Sequence, residues 1–105
     1  MNRPFRVEPE ASTELEEAAV WYEQQRPGLG VEFLESIDTT LDRIVRWPQA
    51  AQRVPGVAID VPARKAPVPT FPDHIAYLER PDAIRILAVA HDRREPSYWL
   101  SRVRK

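Results

Sequence analysis

The 105-residue sequence has no cysteine, which excludes disulfides, thiolate metal sites and a cysteine nucleophile. Its apolar runs fall well short of the roughly 18–20 residues that a membrane-spanning helix requires. The first residues, Met1–Phe5, lack the apolar block of a signal peptide. Together these absences predict a cytoplasmic protein.

Motifs of several common enzyme classes are also absent. The sequence contains no GxGxxG or P-loop pattern to cradle a phosphate, no GxSxG nucleophile elbow and no HExxH zinc motif. The histidines, His74 and His91, have no clustered third ligand beside them. We therefore expect neither a metal nor another cofactor.

The net charge of −1 conceals an uneven distribution of charge. Residues 1–50 carry ten acids against five arginines, a balance of −5, whereas residues 51–105 carry ten bases against six acids, a balance of +4. Such asymmetry predicts two differently charged surfaces. Thirteen of the fifteen bases are arginine, whose planar fork suits carboxylate or phosphate, although high arginine content also arises from genome composition.

Helical periodicity dominates the first half of the chain. Apolar residues recur at three- and four-residue steps from Ala11 to Tyr22 and again from Phe33 to Val45. The segment Arg26–Gly30 interrupts the pattern with Pro and Gly, and Pro48 ends it. Two helices with so short a break predict an antiparallel helix hairpin.

Strand patterns precede and follow this hairpin. Phe5 and Val7 alternate with Arg6, and Gln49–Pro62 resembles a loop. Three later segments are predicted to be extended, the first of them irregular or at an edge because of its prolines: Ala63–Thr70, His74–Glu79 and Ile84–His91. The order β-α-α-β-β-β predicts a single α+β domain over residues 1–105, with the hairpin on one face of a mainly antiparallel sheet of about four strands.

Two groups of side chains are candidates for chemistry. His91, Arg93, Arg94, Tyr98 and Trp99 follow the last predicted strand, where they offer proton transfer, phosphate binding and stacking. In a purely structural alternative, the aromatic rings pack on the sheet and the arginines pair with neighbouring acids. The second group is Arg64, Lys65 and His74, which either converge with Arg93 or form a solvated basic face.

Nearly the whole chain resembles the RelE/ParE superfamily of type II toxin–antitoxin toxins, also described as plasmid stabilisation-like proteins. The resemblance rests on the order and spacing of these elements: Val7–Ala11, Trp21–Glu23, Pro27–Gly30, Phe33-Leu34, Arg64, Phe71-Pro72, Ile75, Tyr77, Ile86–Ala90 and His91–Pro96. It implies a toxin that is neutralised by a cognate antitoxin. RelE-like members cut mRNA on the ribosome without a metal, ParE-like members poison DNA gyrase, and an inactive antitoxin-binding relic is a third alternative.

The resemblance also implies site residues. A RelE-like catalytic set would comprise Lys65, His74, Arg93 and Tyr98, but Pro67 stands where a cation is expected and Trp99 lacks an ionisable hydroxyl. These losses favour a ParE-like toxin that binds its target. Residues implied for target or phosphate binding are Arg64, His91, Arg94, Trp99 and Arg102. Residues implied for antitoxin binding are Trp21, Phe33, Ile37 and the sheet edge at Val68, with a core role as the alternative for Trp21.

Overall fold

The computed structural model describes residues 4–55 and 62–104. It has an α+β fold in which a short strand precedes two helices and four further strands. The elements are β1 (Phe5–Val7), α1 (Pro9–Gln25), α2 (Leu29–Arg46), β2 (Gln52–Arg53), β3 (Ala63–Pro67), β4 (Asp73–Glu79), β5 (Ile84–His91) and a 3₁₀ helix (Pro96–Arg104), called here the C-terminal segment. No helix within the described ranges is long and apolar enough to cross a membrane.

The two helices form the predicted hairpin, and glycine makes its tight turn possible. Gly28 has φ 91°, the left-handed conformation that glycine adopts without steric cost. A Cβ on Gly30 would lie 2.7 Å from the carbonyl oxygen of Ala19, so this position requires the close approach of two backbones. The Glu23 carboxylate accepts hydrogen bonds from the N–H groups of Gly28 and Gly30, and these bonds lower its pKa.

The sheet contains five strands in the order β1-β5-β4-β3-β2. β1 runs parallel to β5, with Phe5 opposite Ile84, while the other pairs are antiparallel. The expectation of about four strands therefore missed β2, whose two residues lie within the predicted loop. Residues 56–61 of that loop lie outside the described residues.

Apolar side chains fill both faces of the sheet. On one face, the helix hairpin packs its buried residues against alternate strand positions such as Ile75, Tyr77 and Ile86. On the other, Trp99 of the C-terminal segment packs against Ala76 and its neighbours in a second core. The register of β4 and β5 shifts by one residue, because Ala76 pairs with Ala88 whereas Tyr77 pairs with Ile86. Leu87 is therefore an extra residue on β5, and both Leu87 and Ala88 join this second core. The tail to which the sequence assigned no element thus closes the second face of the sheet.

Candidate functional site at the ends of β4 and β5

The pairing of β4 with β5 brings four titratable residues to one end of the sheet. Asp73 lies opposite His91, which is followed in sequence by Asp92, and His74 lies opposite Ala90. Because side chains alternate along a strand, Asp73 points with Ile75 towards the helix hairpin and His74 points with Ala76 towards the other face. The cluster therefore straddles the sheet rather than facing one cavity.

His74 and Asp92 form a hydrogen-bonded pair. His74 Nδ1 lies 2.9 Å from Asp92 Oδ1, and the two side chains are 10% and 55% exposed. The backbone N–H of Asp92 donates to the carbonyl of Pro72, which fixes the carboxylate beside the imidazole. A carboxylate in this position selects the tautomer and orientation of a histidine, so Asp92 fixes the orientation of the His74 imidazole.

Asp73 connects the sheet to the hairpin. The Tyr22 hydroxyl donates a hydrogen bond to Asp73 Oδ2, and both side chains are buried. Burial and the adjacent carboxylate raise the pKa of Tyr22. Burial also raises the pKa of Asp73, while the Tyr22 hydrogen bond and the nearby His91 act in the opposite direction. This pair serves the packing of α1 on β4.

Glu14 of α1 connects the hairpin to the C-terminal segment. Its two carboxylate oxygens accept hydrogen bonds from both terminal nitrogens of Arg102 at 2.9 and 3.1 Å, and Oε1 also accepts from the N–H of Val89. Arg102 donates in addition to the carbonyl of Leu87. Since β1 extends only as far as Ile86 along β5, these side chains satisfy the β5 edge beyond it.

The cationic and aromatic side chains after β5 divide into engaged and accessible groups. The Tyr98 hydroxyl faces the Glu14 carboxylate, and burial together with this negative charge raises the pKa of Tyr98. The Arg94 guanidinium lies 4.0 Å from the centre of the Tyr98 ring and remains exposed. Arg93 is also exposed, and its backbone N–H donates to His91 Nδ1. His91, Arg93 and Arg94 are thus the accessible members of this group.

The structure brings together part of the RelE-like set. Lys65 lies opposite Ala76 and Pro67 lies opposite His74, so Lys65 and His74 are diagonal neighbours on the face away from the hairpin. Tyr98 instead directs its hydroxyl towards Glu14. The catalytic roles of Lys65, His74, Arg93 and Tyr98 stay predictions.

Three residues implied for target or phosphate binding make internal contacts in the structure, and their binding roles stay predictions. Trp99, expected to present a stacking face to a target, is 1% exposed because it fills the second core. Two arginines expected to bind phosphate are engaged internally: Arg64 donates to the carbonyl of Ala51, and Arg102 is bonded to Glu14. These contacts have structural functions.

The surface expected to bind an antitoxin is also mostly buried. Phe33, Ile37 and Val68 are at most 2% exposed, because each packs into the core between hairpin and sheet. The expectation that Phe33 and Ile37 have exposed sides was therefore wrong, while antitoxin binding by these residues and by the sheet edge at Val68 stays a prediction. Trp21 is 56% exposed and remains accessible on α1.

The sequence did not identify four residues whose side chains anchor others around this site by hydrogen bonds: Asp92, Asp73, Tyr22 and Glu14. A signal for the first two was present, because the dipeptides Asp73-His74 and His91-Asp92 stand at the adjoining ends of two neighbouring strands. Mirror-image dipeptides at paired strand ends bring opposite charges together across the sheet. Nothing comparable marked Glu14, whose partner Arg102 is 88 positions away in sequence.

Comparisons with known proteins identify the fold. No protein-family model matches the sequence, and no curated protein matches it. Among solved structures, the chain is similar to the chromosomal ParDE TA system from P. aeruginosa, with a TM-score of 0.69 and 17% sequence identity. The match covers 85% of this chain and 95% of that one. At this identity the likeness establishes architecture, and the chain therefore has a ParE-like α+β fold.

Proposed function

We propose that this protein is the toxin of a type II toxin–antitoxin module and that it acts in the ParE manner, by binding a large target such as DNA gyrase. The observation that carries the proposal is the fold, which the chain shares with a ParDE system over most of its length. The resemblance of the sequence to RelE/ParE toxins supports the same assignment.

The state of the RelE-like site supports target binding over RNA cleavage. Pro67 supplies no cation beside His74, and the ring of Trp99 is enclosed in the second core. The hydroxyl of Tyr98, which would serve as a general acid or base, faces the Glu14 carboxylate, and burial raises the pKa of Tyr98. By contrast, Arg93 and Arg94 are exposed in the turn after β5, where their planar guanidinium groups can bind carboxylates of an acidic target surface.

The proposal is tested by inducing the protein alone and then together with the product of the adjacent reading frame. We expect growth arrest that co-expression relieves, together with inhibition of supercoiling when the purified protein is added to gyrase. Arg93→Ala/Arg94→Ala should weaken both effects, whereas Arg43→Ala, which changes an exposed arginine of α2, should leave them intact. Growth arrest with fully normal supercoiling would overturn the gyrase assignment, and absence of arrest would favour an inactive antitoxin-binding protein.

A RelE-like endonuclease is the second candidate, and the His74–Asp92 pair is the observation that favours it. An imidazole oriented by a carboxylate can accept a proton from a ribose 2′-hydroxyl, and Lys65 lies diagonally beside it to meet phosphate charge. Mapping mRNA ends after induction distinguishes this activity. Codon-phased cuts that disappear in His74→Ala would support it, and their absence from the wild type would exclude it.

A further inference from the structure

A cleft of about 210 Å³ lies between the C-terminal end of α2 and the sheet. Ile44 lines it from α2, and Ala66 and Tyr77 line it from β3 and β4. An apolar cavity of about 150 Å³ can take up benzene, whereas sites for drug-sized ligands begin at about 300 Å³. The cleft therefore has room for a single ring or a group of similar size.

The interior of this cleft is apolar, and its hydroxyl groups already have partners. Ile44, Ala66 and Tyr77 belong to the core between hairpin and sheet. The Tyr77 hydroxyl donates to the carbonyl of Pro48, and the hydroxyl of Thr40, which also lines the cleft, donates to a carbonyl of its own helix. A group that enters the cleft is therefore held mainly by apolar contact.

The loop that follows α2 forms one end of the cleft and is fixed by hydrogen bonds. The N–H of Ala50 donates to the carbonyl of Trp47, and the Arg64 guanidinium donates to the carbonyl of Ala51 at 2.7 Å. Arg64 and Tyr77 both belong to the sheet, so the loop is attached to it at two points. The cleft is thus preformed, and a ligand need not order this loop when it binds.

The mouth of the cleft carries a cation and an aromatic ring. Arg43 and Trp47 both line it, and their spacing of four residues places them one helical turn apart. The Trp47 side chain is 60% exposed. Arg43 is also exposed and forms no ion pair with any residue of the ranges 4–55 and 62–104, whereas Arg46 is paired with Asp42 at 3.2 Å. An apolar cleft bordered by an uncompensated guanidinium suits an apolar ligand that carries a negative charge.

We propose that this cleft is a binding site for a small aromatic carboxylate, whose single ring enters the cleft while its carboxylate contacts Arg43. Among the described residues that line the cleft, Arg43 is the cation, so a singly charged carboxylate is matched by one guanidinium. A phosphate monoester would bring a second negative charge to this apolar surface without a second cation, which is costly. The site is separate from the exposed arginines after β5 and does not depend on the proposed toxin function.

The test is an NMR titration of the ¹⁵N-labelled protein with phenylacetate, followed at the indole N–H resonance of Trp47. We expect a saturable shift with a dissociation constant of about 1 mM, as befits a ligand of this size. The indole of Trp21, which is 56% exposed on α1, is the matched control and should not respond. Phenylacetamide, which has the same ring without the charge, should bind about tenfold more weakly, and phenyl phosphate should bind no more tightly than phenylacetate.

Two variants separate the contribution of the charge from that of the cleft. Arg43→Gln should weaken phenylacetate by about tenfold and leave phenylacetamide unchanged, because only the carboxylate contacts the guanidinium. Arg93→Gln removes the same charge in the turn after β5 and should alter neither affinity. Ala50→Leu, at an exposed position that lines the cleft, should weaken both ligands because its longer side chain occupies their space. Circular dichroism melts verify that every variant is folded.

Several results would overturn the proposal. These are the absence of a saturable Trp47 shift at about 10 mM phenylacetate, an equal response of Trp21, and equal affinity for phenylacetamide. Tighter binding of phenyl phosphate would assign the site to a different class of ligand and would also overturn it, as would affinity that neither Arg43→Gln nor Ala50→Leu changes. None of these results depends on growth arrest or supercoiling, so the ligand site and the toxin function can fail separately.

Discussion

The two sides of helix α1 carry glutamates in opposite situations. Glu14 is 19% exposed, and its carboxylate is bonded to Arg102 and to the N–H of Val89. Glu16 and Glu17, within one turn of it, are exposed on the outer side and form no ion pair with any described residue. The acidic excess of the first half of the chain therefore has two functions: one part holds the fold together and the other determines the charge of a surface.

The arginines of the second half divide in the same way. Arg85 pairs with Glu8 and donates to the carbonyls of Arg102 and Val103, and Arg102 itself is bonded to Glu14. Arg93 and Arg94 lie exposed in the turn that follows β5. Of these four arginines, only Arg93 and Arg94 are exposed, so a count of charges along the sequence overstates what a target can contact.

Among the substitutions that test this division between internal and accessible charges, removal of the Arg102 side chain should lower the stability of the protein the most. Arg102→Ala leaves the mostly buried carboxylate of Glu14 without its cation and the Leu87 carbonyl without its donor. We expect a loss of about 3–5 kcal/mol in the free energy of unfolding, measured by urea denaturation. Adding Glu14→Gln should recover part of this loss, because the uncompensated charge is then removed. A loss below that of an exposed arginine such as Arg43 would show that the Glu14 cluster is not structural.

Tyr22→Phe should have the next largest effect, and its size should depend on pH. Burial raises the pKa of Asp73 in the folded protein, so ionisation of this carboxyl opposes folding. The protonated carboxyl contributes stability at low pH, and this contribution is lost as the pH rises through the folded-state pKa. The Tyr22 hydrogen bond offsets this cost by favouring the ionised carboxylate. We therefore expect Tyr22→Phe to cost about 1.5–3 kcal/mol at pH 7 and less at pH 4, relative to wild type at each pH. Equal losses in urea melts at both values would contradict this account.

Local sequence signals were sufficient to predict much of the fold. Helical periodicity and the Pro–Gly breaks located both helices, and the nearly continuous apolar run Ile84–His91 matches β5. The parallel pairing of β1 with β5 and the two-residue β2 were missed. Both depend on partners distant in sequence, and a strand of two residues has no periodicity to detect.

The candidate site was less predictable because composition does not report burial. Trp99 and Arg102 stand in a polar tail and therefore look accessible. In the structure, Trp99 lies in the second core with Leu87, the extra residue on β5, and Arg102 bonds to the edge of β5 that β1 leaves open. His74 was identified by residue type, but the carboxylate that orients it was not. Whether a polar side chain acts on a partner or supports the fold is decided by such long-range contacts.

Arg94→Ala should have a small effect on stability. Its guanidinium contacts the ring of Tyr98 but is otherwise exposed, and such contacts contribute about 0.5–1 kcal/mol at exposed sites. Urea denaturation of Arg94→Ala and Arg102→Ala in parallel compares the stability contributed by an accessible arginine in the turn after β5 with that contributed by an internal arginine of the C-terminal segment. A loss as large as that of Arg102→Ala would mean that Arg94 also supports the fold and would remove it from the accessible basic surface.

Neutralisation of the outer acids should have the smallest effect on stability. Glu16→Gln/Glu17→Gln changes side chains of α1 that are exposed and have no ion-pair partner among the described residues, so the free energy of unfolding should stay within about 0.5 kcal/mol of wild type. Any shift should be towards greater stability at low salt, because repulsion between neighbouring carboxylates is relieved. The matched control is Glu14→Gln, on the inner side of the same helix, which should destabilise the protein clearly. Comparable losses from the two sides of α1 would eliminate the distinction between structural and surface acids, because the outer acids would then also be holding the fold.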